Sequence, residues 1–203
     1  MQPWTQEDAV KLGKAILAVV GATVLLSALV GTASAGRLST SSQRIRASFA
    51  RVAFAGGFGT VDCEVAVEGS FHERTISKTA GTLSGFITAA NVTRCASGAG
   101  TVLREALPWH VQYQSFTGTL PRILTIRASI IGWSVGVREP TFGITCLARG
   151  NASIDFVRDT TSGATTEVAL SGTTPCSGIA GTLSGRTTNV DNGSGARITV
   201  TLI

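Results

Sequence analysis

Residues 61 to 68 read Val61-Asp62-Cys63-Glu64-Val65-Ala66-Val67-Glu68, in which apolar residues alternate with residues that are mostly acidic. A strand turns successive side chains to opposite faces, so this octet has one dry face and one wet face. That is the pattern of an antiparallel strand packed on one side only.

The same period recurs on both sides. Trp109, Val111 and Tyr113 alternate with His110, Gln112 and Gln114, and Ala196, Ile198, Val200 and Leu202 alternate with Arg197, Thr199 and Thr201. From Ile123 to Val137 the inward set changes from Leu124, Ile126, Ala128 and Ile130 to Ile131, Trp133, Val135 and Val137, which predicts a bulge near Ile130 and Ile131. Phe142 to Ala148 and Ala152 to Phe156 read as two strands parted by a turn at Arg149-Gly150-Asn151. Only Gln43 to Ala53 is ambiguous, because Ile45, Phe49 and Val52 share a face at helical spacing; the stretch is read as a basic linker entering the first strand. Gly, Ser, Thr and Asn punctuate the rest at the spacing of an all-β domain. The expectation is an antiparallel β-sandwich or a flattened barrel.

Lys11 and Lys14 precede an uncharged run of 22 residues, 15 to 36, which closes on Ala33-Ser34-Ala35. A basic start, an apolar stretch and a small-x-small end are the parts of an export signal, so residues 1 to 35 are read as a signal peptide. The run is also long enough to span a bilayer and remain as an anchor helix. Arg37, Arg44, Arg46 and Arg51 behind it argue against the exported orientation, whereas its Ala, Gly, Ser and Thr content argues against a stable span. The expected organisation is residues 1 to 35 as signal or anchor, 36 to 57 as a basic linker that can include a first strand, and 58 to 203 as one all-β domain. The expected location is outside the cell or in its envelope.

Phe58-Gly59-Thr60-Val61-Asp62-Cys63 is echoed by Phe142-Gly143-Ile144-Thr145-Cys146, and the seven residues from Cys95 by the seven from Cys176. The echo suggests an internal duplication, and of the three pairings open to four cysteines it singles out Cys63 with Cys95 and Cys146 with Cys176. The hexapeptide Ala-Gly-Thr-Leu-Ser-Gly, at 80 to 85 and again at 180 to 185, keeps a different register from that echo. Disulfides suit an oxidising compartment. No Cys-x-x-Cys spacing occurs and the chain has 2 histidines, so no metal is expected.

Of 17 Lys and Arg residues and 12 Asp and Glu, all but Lys11, Lys14, Glu7 and Asp8 follow the run. The arginines stand singly, Arg74, Arg94, Arg104, Arg122, Arg127, Arg138, Arg149, Arg158, Arg186 and Arg197 among them, with no cluster to track a phosphate backbone. A solvated surface is expected, with no nucleic-acid partner. Asp62, Glu64 and Glu68 share a strand face, where carboxylates can hold calcium or act as acid and base; a charged face that blocks edge pairing is the expected role. Asn91-Val92-Thr93, Asn151-Ala152-Ser153 and Asn192-Gly193-Ser194 match the glycosylation sequon by chance in a Ser- and Thr-rich chain.

Catalytic patterns are missing. His72-Glu73 opens like a zinc-protease helix, but Ile76 stands where the second histidine belongs, and neither a nucleophile elbow nor a phosphate-binding glycine loop occurs. The densest cluster of distinctive residues is Leu107 to Pro121, LPWHVQYQSFTGTLP. Its aromatics suit either a ligand platform, with Trp109, His110, Tyr113 and Trp133 as the binding candidates, or a core strand with His110 exposed.

This segment, with the signal and the cysteine frame, resembles a group of actinobacterial secreted proteins that carry a Leu-Pro-Trp-His-x-x-Tyr-x-Ser-Phe-x-Gly-Thr-Leu-Pro core, a likeness covering most of 58 to 203. The resemblance implies a bacterial exported protein and brings no activity, cofactor or site residue with it. The expected role is a non-enzymatic secreted or envelope-associated protein with an extracellular or envelope partner, touching a membrane only through residues 15 to 36 if these are kept. Two alternatives are a carrier whose Trp109, Tyr113, Trp133 and Phe142 line an apolar cavity, and a hydrolase using His110 or His72.

Overall fold

The computed structural model describes residues 37–57, 59–120, 122–175 and 179–203; the expected signal or anchor helix and Cys176 lie outside the described residues. The described residues are almost entirely β. The strands are β1 (Arg37–Thr40), β2 (Arg44–Gly56), β3 (Gly59–Phe71), β4 (Thr75–Ser77), β5 (Leu83–Cys95), β6 (Ala99–Val102), β7 (Trp109–Thr119), β8 (Arg122–Arg138), β9 (Thr145–Arg158), β10 (Thr165–Thr173), β11 (Gly181–Thr187), β12 (Val190–Asp191) and β13 (Val200–Leu202). One short 3₁₀ turn, Arg104–Ala106, leads into β7.

The larger antiparallel sheet is a ring. Its strands follow the order β2, β3, β5, β7, β8, β9, β10, β11, and β11 then pairs back onto β2, from Gly181 opposite Gly56 to Gly185 opposite Val52. Closing the sheet leaves neither β2 nor β11 as a free edge over that length. Alternation then separates inside from outside. Ala47, Phe49, Val52 and Phe54 of β2, Trp109, Val111 and Tyr113 of β7, and Ile126, Ala128, Ile130, Trp133, Val135 and Val137 of β8 are buried in one core. Arg127, Asp155, Glu64 and Arg186 carry charge on the exterior. A membrane-spanning barrel keeps its apolar band on the outside; here the apolar side is the inside.

Bulges account for the places where alternation misled. Pairing with β3 shifts between Phe49 and Val52, so these residues, three apart, both face inward. The helical spacing of Ile45, Phe49 and Val52 is therefore a bulged strand, and the stretch expected as linker is the strand that closes the ring. In β8 the shift falls between Ile131 and Trp133, one residue beyond the expected place, at Gly132 with φ +76°. Glycine tolerates that conformation, which the extra residue of a bulge requires. Trp133 then pairs with Gly150, so β9 runs through Arg149-Gly150-Asn151 without the expected turn. Another shift, between Thr117 and Gly118, brings Ile123 inside and leaves Leu124 exposed, contrary to its expected inward position.

A second sheet, β13-β1-β4, covers one end of the barrel. Leu38, Ile76, Ile198 and Val200 point into the core. Ile76, Ile198 and Val200 face Tyr113, Ile126 and Phe156 across a void of about 30 Å³. Arg158 locks this cap. Expected at the surface with the other arginines, it is buried, and it donates through Nε to the Gly163 carbonyl, through Nη1 to that of Ile123 at 3.1 Å, and through Nη2 to that of Val200. Burial lowers its pKa, yet three carbonyl acceptors keep the guanidinium satisfied as a cation.

The Cys63–Cys95 disulfide forms as expected, between residues directly opposite in β3 and β5. Strand β6 lies against it: a Cβ on Gly100 would stand 3.2 Å from Cys63 Sγ, so only glycine fits there without displacement.

Two stability predictions follow from these ties. Arg158→Met, which removes the donors to the Gly163, Ile123 and Val200 carbonyls, is expected to lower the unfolding free energy by roughly 2 to 4 kcal/mol in urea titration. Cys63→Ala with Cys95→Ala opens a loop of sequence separation 32, with an expected loss of about 3 to 4 kcal/mol in the same assay.

Candidate functional site

The four aromatic and imidazole candidates divide between the two faces of the barrel. Trp109, Tyr113 and Trp133 belong to the core, with Trp109 only 5% exposed, whereas His110 is on the outside. Burial raises the Tyr113 pKa. The indole N–H groups of Trp109 and Trp133 meet no acceptor among the described residues. Phe142, expected beside them in a cavity, is 74% exposed on the turn between β8 and β9. These four side chains therefore do not line a common cavity.

On the outer wall the structure gathers residues far apart in sequence. Register sets Phe86 of β5 opposite Ser70 of β3 on one side and His110 of β7 on the other, and His110 opposite Ile131 of β8. His72, just beyond the end of β3, packs edge-on to Phe86 with ring centroids 4.6 Å apart, and His110 packs edge-on from the other side at 5.0 Å. Both histidines of the chain thus bracket one phenyl ring. Neither imidazole hydrogen-bonds a serine or a carboxylate among the described residues, the arrangement nucleophilic catalysis requires. Sequence reasoning passed over Phe86, since its place between His72 and His110 depends on cross-strand register, which no local pattern records.

The acidic face of β3 is neutralised across strands. Glu64 pairs with Arg94 directly opposite, Glu68 with Arg46 at 3.8 Å, and Asp62 with Arg51 at 2.9 Å. Because β3 lies between β2 and β5, these carboxylates guard no edge, contrary to expectation; they knit neighbouring strands. Among the described residues no three His, Cys, Asp or Glu side chains gather as metal ligands. Cys146 is buried in β9, and its expected partner Cys176 lies outside the described residues.

The turn that presents Phe142 is built around Glu139. Its carboxylate accepts from the N–H of Thr141 at 2.8 Å and of Phe142 at 2.7 Å. Hydrogen bonding from the Thr141 side chain, then from the Phe142 and Thr141 N–H groups, holds its pKa below the usual carboxylate range. No family model, curated protein or solved structure matches this chain.

A depressed carboxylate pKa stabilises the turn above the ordinary value of about 4.5 and loses that contribution as pH falls through the folded-state value. The Thr141 and Phe142 amide resonances are therefore expected to move toward unstructured positions on acidification below about pH 4.5. In Glu139→Gln they should show no such titration.

Proposed function

We propose that the chain is an exported, non-enzymatic β-barrel protein that binds or scaffolds through its outer surface, outside the cell or in its envelope. One observation carries the reading: the interior is filled by the protein's own side chains. Two interior voids among the described residues, one beside Ile45, Val67 and Phe156 and one beneath the cap, measure about 30 Å³ each, whereas ligand pockets run to roughly 300–1,000 Å³. An eight-stranded ring has room for side chains or for one small ligand, and here aromatic and branched residues occupy it. What remains for recognition is the outside, with its His72-Phe86-His110 cluster and its charged pairs.

Export is supported by the uncharged run ending in Ala33-Ser34-Ala35 and by the Cys63–Cys95 disulfide. Among the described residues no helix is long and apolar enough to cross a membrane. A duplicated origin is supported by the ring order, in which Cys63 on β3 and Cys146 on β9 stand four strands apart in a circle of eight. The repeated hexapeptide does not belong to that symmetry: Leu83 is exposed and Leu183 buried.

Fusion of residues 1 to 36 to alkaline phosphatase, which is active only where its disulfides form, is expected to give an active reporter in an export-competent bacterium. Native mass spectrometry of the protein purified from that host is expected to give the bare, oxidised polypeptide. An inactive reporter would overturn export, and a stoichiometric apolar passenger would restore the carrier reading.

A further inference from the structure

Unpaired cations are most numerous at one end of the barrel; Arg104, Arg138 and Arg149, also without an ion pair among the described residues, lie away from it along with Glu105 and Glu139. On the wall Arg46, Arg51, Arg94, Arg127 and Arg186 are each paired with a carboxylate. At the capped end Arg37, Arg44, Arg74, Lys78, Arg122 and Arg197 make no ion pair among the described residues. The acids there are Glu73, Asp159 and Asp191. Two of them are engaged in their own turns: Asp159 accepts from Thr161 and Ser162, and Asp191 from the Gly193 N–H. The cap surface therefore has more cations than carboxylates to meet them.

The same end displays aliphatic side chains. Leu120 and Leu124, 47% and 48% exposed, flank the β7–β8 turn, where Arg122 begins β8. Ile203, 58% exposed, donates its N–H to the carbonyl of Arg37. Lys78 lies 5.8 Å above the Phe116 ring, which ties the cap to this hairpin. Arg158 ties it again, bonding both Ile123 and Val200. Arg37 is also the residue next after the uncharged run 15 to 36.

We propose that the capped end docks on a bilayer containing anionic phospholipid, with its arginines and Lys78 against the headgroups and Leu120, Leu124 and Ile203 in the interfacial layer. Cations alone suit any polyanion. Exposed aliphatics interspersed with them suit a lipid interface, where apolar burial and electrostatic attraction act together, and contribute little on a phosphate backbone. The inference rests on the reading of the chain as a binding protein and names its partner.

The test is amide hydrogen exchange on the full chain, with vesicles of phosphatidylcholine alone and with one quarter phosphatidylglycerol. This readout distinguishes the cap from any anchoring by residues 15 to 36. Slowed exchange at residues 117 to 124 and 197 to 203 is expected with the anionic vesicles only. Each basic residue near an anionic surface is worth about fivefold in binding, so Arg122→Gln with Arg197→Gln is expected to raise the half-saturating lipid concentration about 25-fold. Leu120→Ser with Leu124→Ser should raise it roughly tenfold or more. Arg138→Gln, at the other end, should leave it unchanged, and each variant is checked for an unaltered melting curve. Equal protection by both vesicles would overturn the proposal. So would equal protection by a DNA duplex that the leucine substitutions do not weaken. Charge-dependent protection at residues 139 to 147 would overturn the bilayer assignment to the cap while leaving the binding reading in place.

Discussion

The pairing of β11 with β2 is the constraint on which the rest of the molecule depends. A twisted antiparallel sheet left open would present two rows of unpaired backbone groups and one apolar face to water; joined at Gly181 to Gly185, it has no edge there and an inside. Ring size then sets interior volume, and residues such as Phe49, Trp109, Tyr113 and Trp133 fill it. One mouth of the cylinder still needs a cover, which the β13-β1-β4 sheet provides, with Arg158 bridging cap and barrel through backbone carbonyls. A hydrophobic side chain at that position would pack, but it could not answer three inward-facing acceptors.

Local chemistry made the strands legible. Val61 to Glu68, Trp109 to Gln114 and the change of phase in β8 all reflect side-chain alternation, a property of consecutive residues, and the disulfide between Cys63 and Cys95 followed from the cysteine echo. Closure was not legible, because it joins residues 52 to 56 with 181 to 185 and no short-range pattern records that contact. The bulge at Phe49 to Val52 hid the closing strand further, since one extra residue changes a period of two into a spacing that imitates a helix. Arg158 was missed for a related reason: a singly placed arginine looks the same in sequence whether it meets water or a ring of carbonyls.

The candidate site was legible in part. Alternation alone sends Trp109 and Tyr113 to one face and His110 to the other, and the structure agrees. Phe86 joins His110 through strand register, and His72 reaches the same ring from just beyond the end of β3, so a sequence reading had no means of gathering the three. The wall arginines show the converse. Spread singly along the chain, they looked like isolated surface charges, but register sets Arg94 opposite Glu64 and Arg127 opposite Asp155, and the wall is largely neutral as a result.

The first and last strands of the described chain meet: Leu38 pairs with Leu202, and the closing partner of β2 is not complete until residue 187. A polypeptide made amino end first cannot close this ring until residues 181 to 187 have emerged. Native pairing is therefore deferred by topology, and the contacts that complete it span most of the chain, which slows folding relative to a fold built on local contacts. On the export route proposed above, such a delay would keep the thread open for passage and reserve folding for the far side.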